Sequence, residues 1–142
     1  VANRPGGERR AGRHDLDELL PQVDVLSLHC PLTPATQDLI GARELARMKP
    51  DALLINTARG ALVDSQALAD ALRAGKLGGA AIDVLPQEPP VDGNPLLAAD
   101  IPHLIVTPHI AWAAREARQR CLDEMAANVE DFARGGHRGR VV

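Results

Sequence analysis

The chain has 142 residues, 45% of them hydrophobic, enough for one domain or part of one. Sixteen basic and nineteen acidic side chains leave a formal charge of −3, so the overall balance offers nucleic acid or an anionic membrane no general attraction. No apolar run approaches the ~20 residues that span a bilayer, and no signal peptide is visible. Phe132 and Trp112 are the only aromatics, so the core must be built from Ala, Leu, Val and Ile. Cys30 and Cys121 form no CxxC pattern and read as reduced, semi-buried thiols of a cytoplasmic protein.

The stretch from Val1 to Arg13 is polar and Gly-rich and carries an arginine cluster, Arg4, Arg9, Arg10 and Arg13. It reads as a loop that follows a strand. Four apolar runs of strand length come next: Val23 to Leu28, Ala52 to Asn56, Ala80 to Val84 and Leu104 to Val106. Three lack clean alternation, as expected for strands covered on both faces of a parallel sheet. Helical stretches separate them. A short one from Gly41 to Met48 stops before Pro50. The next starts at Asp64 as N-cap, places Leu68, Ala71 and Leu72 on one face and ends at Gly75. The longest follows Trp112 from about residue 113, with a stripe of Ala114, Ala117, Cys121, Met125, Val129 and Phe132. Strands alternating with helices predict an α/β fold with a Rossmann-type, doubly wound parallel sheet.

In open α/β sheets, ligands bind beyond the carboxyl ends of the strands. Read in order, those ends are His29-Cys30-Pro31, Asn56 to Gly60, Asp83 with Glu88 shortly after, and Thr107-Pro108-His109. One Arg, one Asp, one Glu and one His therefore converge on a single edge. The set suits reduction of an anionic carbonyl compound. Arginine binds a carboxylate through two parallel hydrogen bonds. Histidine titrates near neutrality and passes a proton to the nascent alkoxide. A neighbouring glutamate favours the imidazolium and fixes its orientation. Each residue also has a plain structural reading: Arg59 as a surface arginine, Glu88 as a solvated loop carboxylate, His109 as a helix cap. His14, His103 and His137 sit in loops without evident partners, and no metal site is predicted.

The segments Asn56-Thr57-Ala58-Arg59-Gly60, Asp83-Val84 with Glu88-Pro89, and Pro108-His109-Ile110-Ala111-Trp112 resemble, in order and spacing, three signatures of the D-2-hydroxyacid dehydrogenases. Leu32 to Thr36 resembles the family's cofactor-contacting turn and Asn94 to Leu97 its usual loop. The resemblance runs from about Leu16 onward, and Trp112 points to the glycerate dehydrogenase and hydroxypyruvate reductase branch, or else packs in the core at the helix start. It implies a catalytic trio of Arg59, Glu88 and His109, with Arg59, His109 and Trp112 facing the substrate. It implies that Pro31 and Leu32 line the adenine side, that Thr57, Ala58 and Arg59 pass beneath the nicotinamide, that Asp83 holds its carboxamide, and that His109 and Ala111 also border the cofactor.

The phosphate-binding GxGxxG is absent, and Gly6-Gly7 does not supply its spacing. The whole chain, residues 1–142, is therefore expected to be the C-terminal part of an NAD(P)-binding domain that lacks its first strand and glycine-rich loop. In strand order 3-2-1-4-5-6 that omission would leave the run at Val23 separated from the run at Ala52. The isolated chain is expected to be inactive, to need the N-terminal part of the same protein, and to belong to a homodimer when complete. Asn3 and Arg4 occupy the position that reads the ribose 2′ group, which favours NADP over NAD. The expected function is hydride transfer between NAD(P)H and a small 2-keto acid, hydroxypyruvate or glyoxylate. The alternatives are a non-catalytic, NAD-sensing binding protein like the corepressors that resemble these dehydrogenases, or an inactive fragment. Formate dehydrogenase fits less well, because its pattern has glutamine where Glu88 stands.

Overall fold

A computed structural model describes residues 1–3 and 10–141. They form two compact units, Val1–His109 and Ile110–Val142. In the first, a short helix α1 (Leu16–Leu19) precedes strand β1 (Val25–Leu28), helix α2 (Ala42–Leu45), strand β2 (Leu53–Asn56), helix α3 (Ser65–Arg73), strand β3 (Gly79–Ile82) and strand β4 (Leu104–Val106). One 3-10 turn, Gly60–Leu62, lies between β2 and α3, and another, Pro95–Leu97, between β3 and β4. The first two apolar runs each contain a strand, the third overlaps β3, which starts one residue earlier at Gly79 and ends at Ile82, and the last matches residue for residue.

Helix α3 shows how local sequence sets an element. The Asp64 carboxylate accepts from the Gln66 and Ala67 N–H groups at 3.0 and 3.1 Å, satisfying two donors that the first turn leaves without partners. Leu68, Ala69, Ala71 and Leu72 form its buried face. Gly75 ends it at φ +63°, a left-handed conformation that glycine adopts without Cβ strain.

The four strands are parallel, in the order β1-β2-β3-β4. Val25 to Leu28 pairs directly with Leu53 to Asn56, which corrects the expected gap between the first two runs. The run at Val23 is not the third strand of the 3-2-1-4-5-6 order. A parallel bridge between Ala2 and His14 precedes it, so the numbering moves on by one and the four strands are consecutive neighbours.

Covering of both sheet faces is also corrected. Leu26, Leu28, Leu54, Ala80 and Ile82 point to one side and join Leu45 of α2 and Leu68, Ala69 and Leu72 of α3 in a single core. On the other face Val25 is 50% exposed and Ile105 64% exposed. The reason is topological. Right-handed crossovers between strands laid down in one direction place every connection on the same face.

In the second unit, helix α4 (Arg115–Ala133) has the predicted position. Its stripe keeps helical spacing but is not packed: Met125 is 59% and Phe132 81% exposed. Cys30 and Cys121 are both free thiols, Cys30 half-buried and Cys121 exposed rather than semi-buried. Among the described residues, no helix is long and apolar enough to cross a membrane.

Candidate active site

The sheet register ends all four strands on one line. Leu28 pairs with Asn56, Asn56 with Ile82, and Ile82 with Val106. The next residues, His29, Thr57, Asp83 and Thr107, therefore leave the sheet side by side. The ladder runs slightly further, since Asp83 N–H donates to the Asn56 carbonyl at 2.9 Å and Thr107 N–H to that of Ile82 at 3.0 Å.

After β2 the chain is shaped by Asn56, whose side chain is fully buried. Its Nδ2 donates to the Arg59 carbonyl at 2.9 Å, and its Oδ1 accepts from Ala58 N–H at 3.1 Å. This Asx-type turn presents Thr57, Ala58 and Arg59 at the edge. Arg59 is exposed, with Nη1 donating to the Ala58 carbonyl at 2.6 Å.

After β3 comes Asp83, a carboxylate only 4% exposed. Thr107 Oγ1 donates a short hydrogen bond to its Oδ1. Five residues on, Glu88 turns back. Its Oε1 accepts from Leu85 N–H at 2.8 Å, and its Oε2 lies 2.7 Å from His109 Nδ1. The Leu85 N–H, followed by the His109 contact, holds the Glu88 carboxyl below the usual carboxylate range. An ionised carboxylate only accepts, so Nδ1 of His109 carries the hydrogen and Nε2 is the ring nitrogen that Glu88 does not engage.

After β4, His109 adopts φ +55°. Its N–H donates to the Asp83 carbonyl at 2.8 Å and to the Thr107 carbonyl at 3.0 Å, which pins the left-handed turn to the ends of β3 and β4. The structure thus joins Glu88 to His109 directly and Asp83 to both Thr107 and His109. Arg59 stands on the adjoining loop.

The remaining expected residues lie as follows. Thr36, 4% exposed, closes the turn after β1 by donating to the Pro31 carbonyl and accepting from Thr33 N–H, both at 2.8 Å, and this leaves Leu32 exposed. Asn3 donates to Asp15 Oδ1 at 3.1 Å, and its own Oδ1 accepts from Arg10 N–H at 3.2 Å. Arg4 lies outside the described residues. Ala111 and Trp112 belong to the second unit, where Trp112 is 61% exposed and so is not the core residue of the alternative reading. Reading the sequence placed Asn56, Thr36 and Thr107 in the strand-end turns but gave none of them a role, and it missed the Leu85 N–H. For the first two the signal was present, as a polar side chain set in a tight apolar turn.

A parallel sheet whose carboxyl edge carries a buried aspartate and a glutamate–histidine pair is that of a dinucleotide-binding α/β unit equipped for acid–base chemistry. Residues 3–111 match the D-isomer specific 2-hydroxyacid dehydrogenase, NAD binding domain, and the chain belongs to that family. It is 56% identical over 124 residues to the glycerate dehydrogenase of Methylorubrum extorquens, covering 87% of this chain and 40% of that protein. To the hydroxypyruvate reductase of Blautia hydrogenotrophica it is 45% identical over 121 residues, covering 85% of this chain and 37% of that one. The D-isomer specific 2-hydroxyacid dehydrogenase of Lactobacillus delbrueckii ssp. bulgaricus, in its NAD complexed form, has a TM-score of 0.73 at 35% identity and covers 87% of this chain and 41% of its own. The chain spans about two-fifths of the length of these relatives.

The family's cofactor is a nicotinamide dinucleotide, NAD(P). The residues present fit its nicotinamide end. A buried, hydrogen-bonded carboxylate at Asp83 suits an amide donor, and the Asn56 turn offers a backbone ledge beside it.

Proposed function

We propose that the whole protein is an NAD(P)-dependent D-2-hydroxyacid dehydrogenase acting on a small 2-keto acid, hydroxypyruvate or glyoxylate, and that this chain supplies its acid–base edge. The observation that carries the reading is the 2.7 Å contact between Glu88 Oε2 and His109 Nδ1. The names of the Methylorubrum and Blautia relatives support the choice of substrate.

When bound, the cofactor supplies or accepts the hydride, and the protein supplies orientation and charge. Arg59 pairs its planar guanidinium with the substrate carboxylate in two parallel hydrogen bonds, setting the adjacent carbonyl in place. His109 gives the Nε2 proton to the carbonyl oxygen during reduction and takes it back during oxidation. Glu88 accepts from Nδ1–H, which fixes the ring and offsets the imidazolium charge. Asp83 accepts from the nicotinamide carboxamide, and Thr57, Ala58 and Arg59 pass beneath the ring. Pro31 and Leu32 flank the adenine side, Ala111 borders the cofactor and Trp112 faces the substrate. A further segment of the same protein covers the open face of the sheet around Val25 and Ile105, a role that their exposure supports.

The test is saturable oxidation of NADPH or NADH by hydroxypyruvate or glyoxylate with the full-length protein. His109→Ala should lower kcat by roughly 10²–10⁴, the range typical of general acid–base groups. A full-length protein that binds NAD(P)H yet turns over neither keto acid would refute this reading in favour of a nucleotide-sensing binding protein.

A further inference from the structure

Arg59 and Glu88 leave different strands on separate loops, and both are exposed. What holds those loops together is a main-chain contact. A Cβ built on Gly60 would fall 2.0 Å from the carbonyl carbon of Leu85, 2.3 Å from Pro86 N and 2.4 Å from Leu85 O. The 2.0 Å separation is more than an ångström short of ordinary carbon–carbon contact, ~3.5 Å. The atoms met are peptide atoms, so no flexible side chain can swing aside.

Both sides of this contact are tied into the site, the Gly60 side more tightly. Gly60 is buried, and Val63 N–H donates to its carbonyl at 3.1 Å. The Arg59 carbonyl accepts from Leu62 N–H at 3.2 Å and from Asn56 Nδ2 at 2.9 Å. On the other side, Leu85 is the residue whose N–H fixes Glu88 Oε1 at 2.8 Å, while Oε2 meets His109 Nδ1 at 2.7 Å. A continuous path therefore runs from the Arg59–Gly60 turn through the Leu85 carbonyl to the N–H of the same residue, and from there through the Glu88 carboxylate to the His109 ring.

We infer that Gly60 is a positioning residue for the Glu88–His109 pair: its bare Cα lets the Leu85–Pro86 peptide dock against the Arg59 turn, which sets the place of Leu85, and the N–H of Leu85, in the preceding Val84–Leu85 peptide, orients Glu88. The catalytic consequence rests on the dehydrogenase reading; the structural one does not. A side chain at position 60 displaces Leu85, loosens Glu88 and lets the His109 ring leave its Nδ1–H tautomer. Arg59 and the cofactor-binding edge stay on the β2 side of the contact.

The experiment compares wild type, Gly60→Ala, Glu88→Gln and the double variant in the full-length protein. Ring ¹⁵N shifts of His109 report the tautomer, and steady-state kinetics report kcat and both KM values. Gly60→Ala is expected to convert a single Nδ1–H tautomer to a mixture and to lower kcat by about 10²-fold, as displacements near 1 Å do, with the cofactor KM unchanged. In the Glu88→Gln background the same change should cost little more, because both act through one carboxylate. Fully additive losses, or an unchanged tautomer with kcat retained, would overturn the proposal. Should Gly60→Ala fail to fold, replacing the Val84–Leu85 amide by an ester removes the N–H to Glu88 and leaves the Leu85–Pro86 contact with Gly60 in place. That protein must show the same loss of tautomer and kcat, and wild-type values for both would overturn the proposal. A wild type without keto-acid turnover would count against the functional reading alone, because the ring shifts need no turnover.

Discussion

Thr107→Val removes one hydroxyl and nearly nothing else. Valine matches threonine in shape, so no cavity opens; what is lost is the hydrogen bond from Thr107 Oγ1 to Asp83 Oδ1. Asp83 is 4% exposed, so water does not readily replace the missing donor. A hydrogen bond to a charged group contributes about 1.5–3 kcal/mol, and leaving the acceptor buried keeps the loss near that range. At about 2–4 °C per kcal/mol, the scale for a protein of 150–250 residues, that corresponds to a fall in Tm of at most roughly 3–12 °C. Calorimetry of the full-length protein measures it. The cofactor KM should rise in parallel if Asp83 holds the carboxamide, and Thr107→Ser, which keeps the hydroxyl, should stay close to wild type. A Thr107→Val protein within ~0.5 kcal/mol of wild type, the usual spread for neutral surface changes, would refute the assignment of Thr107 as the support of Asp83.

Two further outcomes follow from Glu88 and from the residues around Asn3. Glu88 titrates below the ordinary carboxylate value, ~4.3. Such a group contributes fully above its unfolded pKa, and the contribution is lost as pH falls through the lower, folded one. The Glu88–His109 pairing, followed by ring NMR, should therefore persist at pH ~4.3 and break only below it; loss of the pairing above pH 5 would contradict this. For the cofactor, Arg4 favours NADPH, while the Asp15 carboxylate bonded to Asn3 at 3.1 Å opposes a 2′-phosphate. We expect kcat/KM to favour NADPH, the preference to grow in Asp15→Asn and to vanish in Arg4→Ala. A wild type that prefers NADH, or a ratio unmoved by Arg4→Ala, would remove Arg4 from the reading.

What the sequence revealed was what depends on near neighbours. Asp64 as N-cap, Gly75 as terminator and the run Leu104–Val106 are written in a few adjacent residues, and the structure has all three. Convergence of Asp83, Glu88 and His109 was legible because strand ends in a parallel sheet must share an edge. The pairing of β1 with β2 was not, because it depends on counting strands correctly, and the short Ala2–His14 bridge does not look like a strand in sequence. Nor was the exposure of Val25 and Ile105, since apolar composition records what a face is suited to meet and not what covers it. Thr107 meets Asp83 across 24 positions and Leu85 acts through its N–H, which every residue but proline carries. Periodicity found α4 correctly, but the burial of Met125 and Phe132 did not follow from it.

The Glu88–His109 pair stands on loops, yet main-chain bonds to the sheet set its geometry, and on the proposed function this separates stability from catalysis. His109 N–H reaches the carbonyls of Asp83 and Thr107, one beyond β3 and one beyond β4, so the left-handed turn at φ +55° is an extension of the strand ladder. Glu88 hangs on Leu85 N–H, and Leu85 is stopped by Gly60. No side chain of α3 enters this set of bonds. Leu68 of α3 is fully buried in the core, and truncating a leucine there costs about 2–5 kcal/mol through lost burial and the cavity left behind. Leu68→Ala should therefore lower Tm markedly while kcat/KM, measured well below the new transition, stays near wild type. Thr107→Val and Gly60→Ala should do the reverse in proportion, losing more activity for each kcal/mol of stability. If Leu68→Ala lost as much kcat/KM as Gly60→Ala while still folded, the pair would be held by the packed core, and the main-chain account of its geometry would fail.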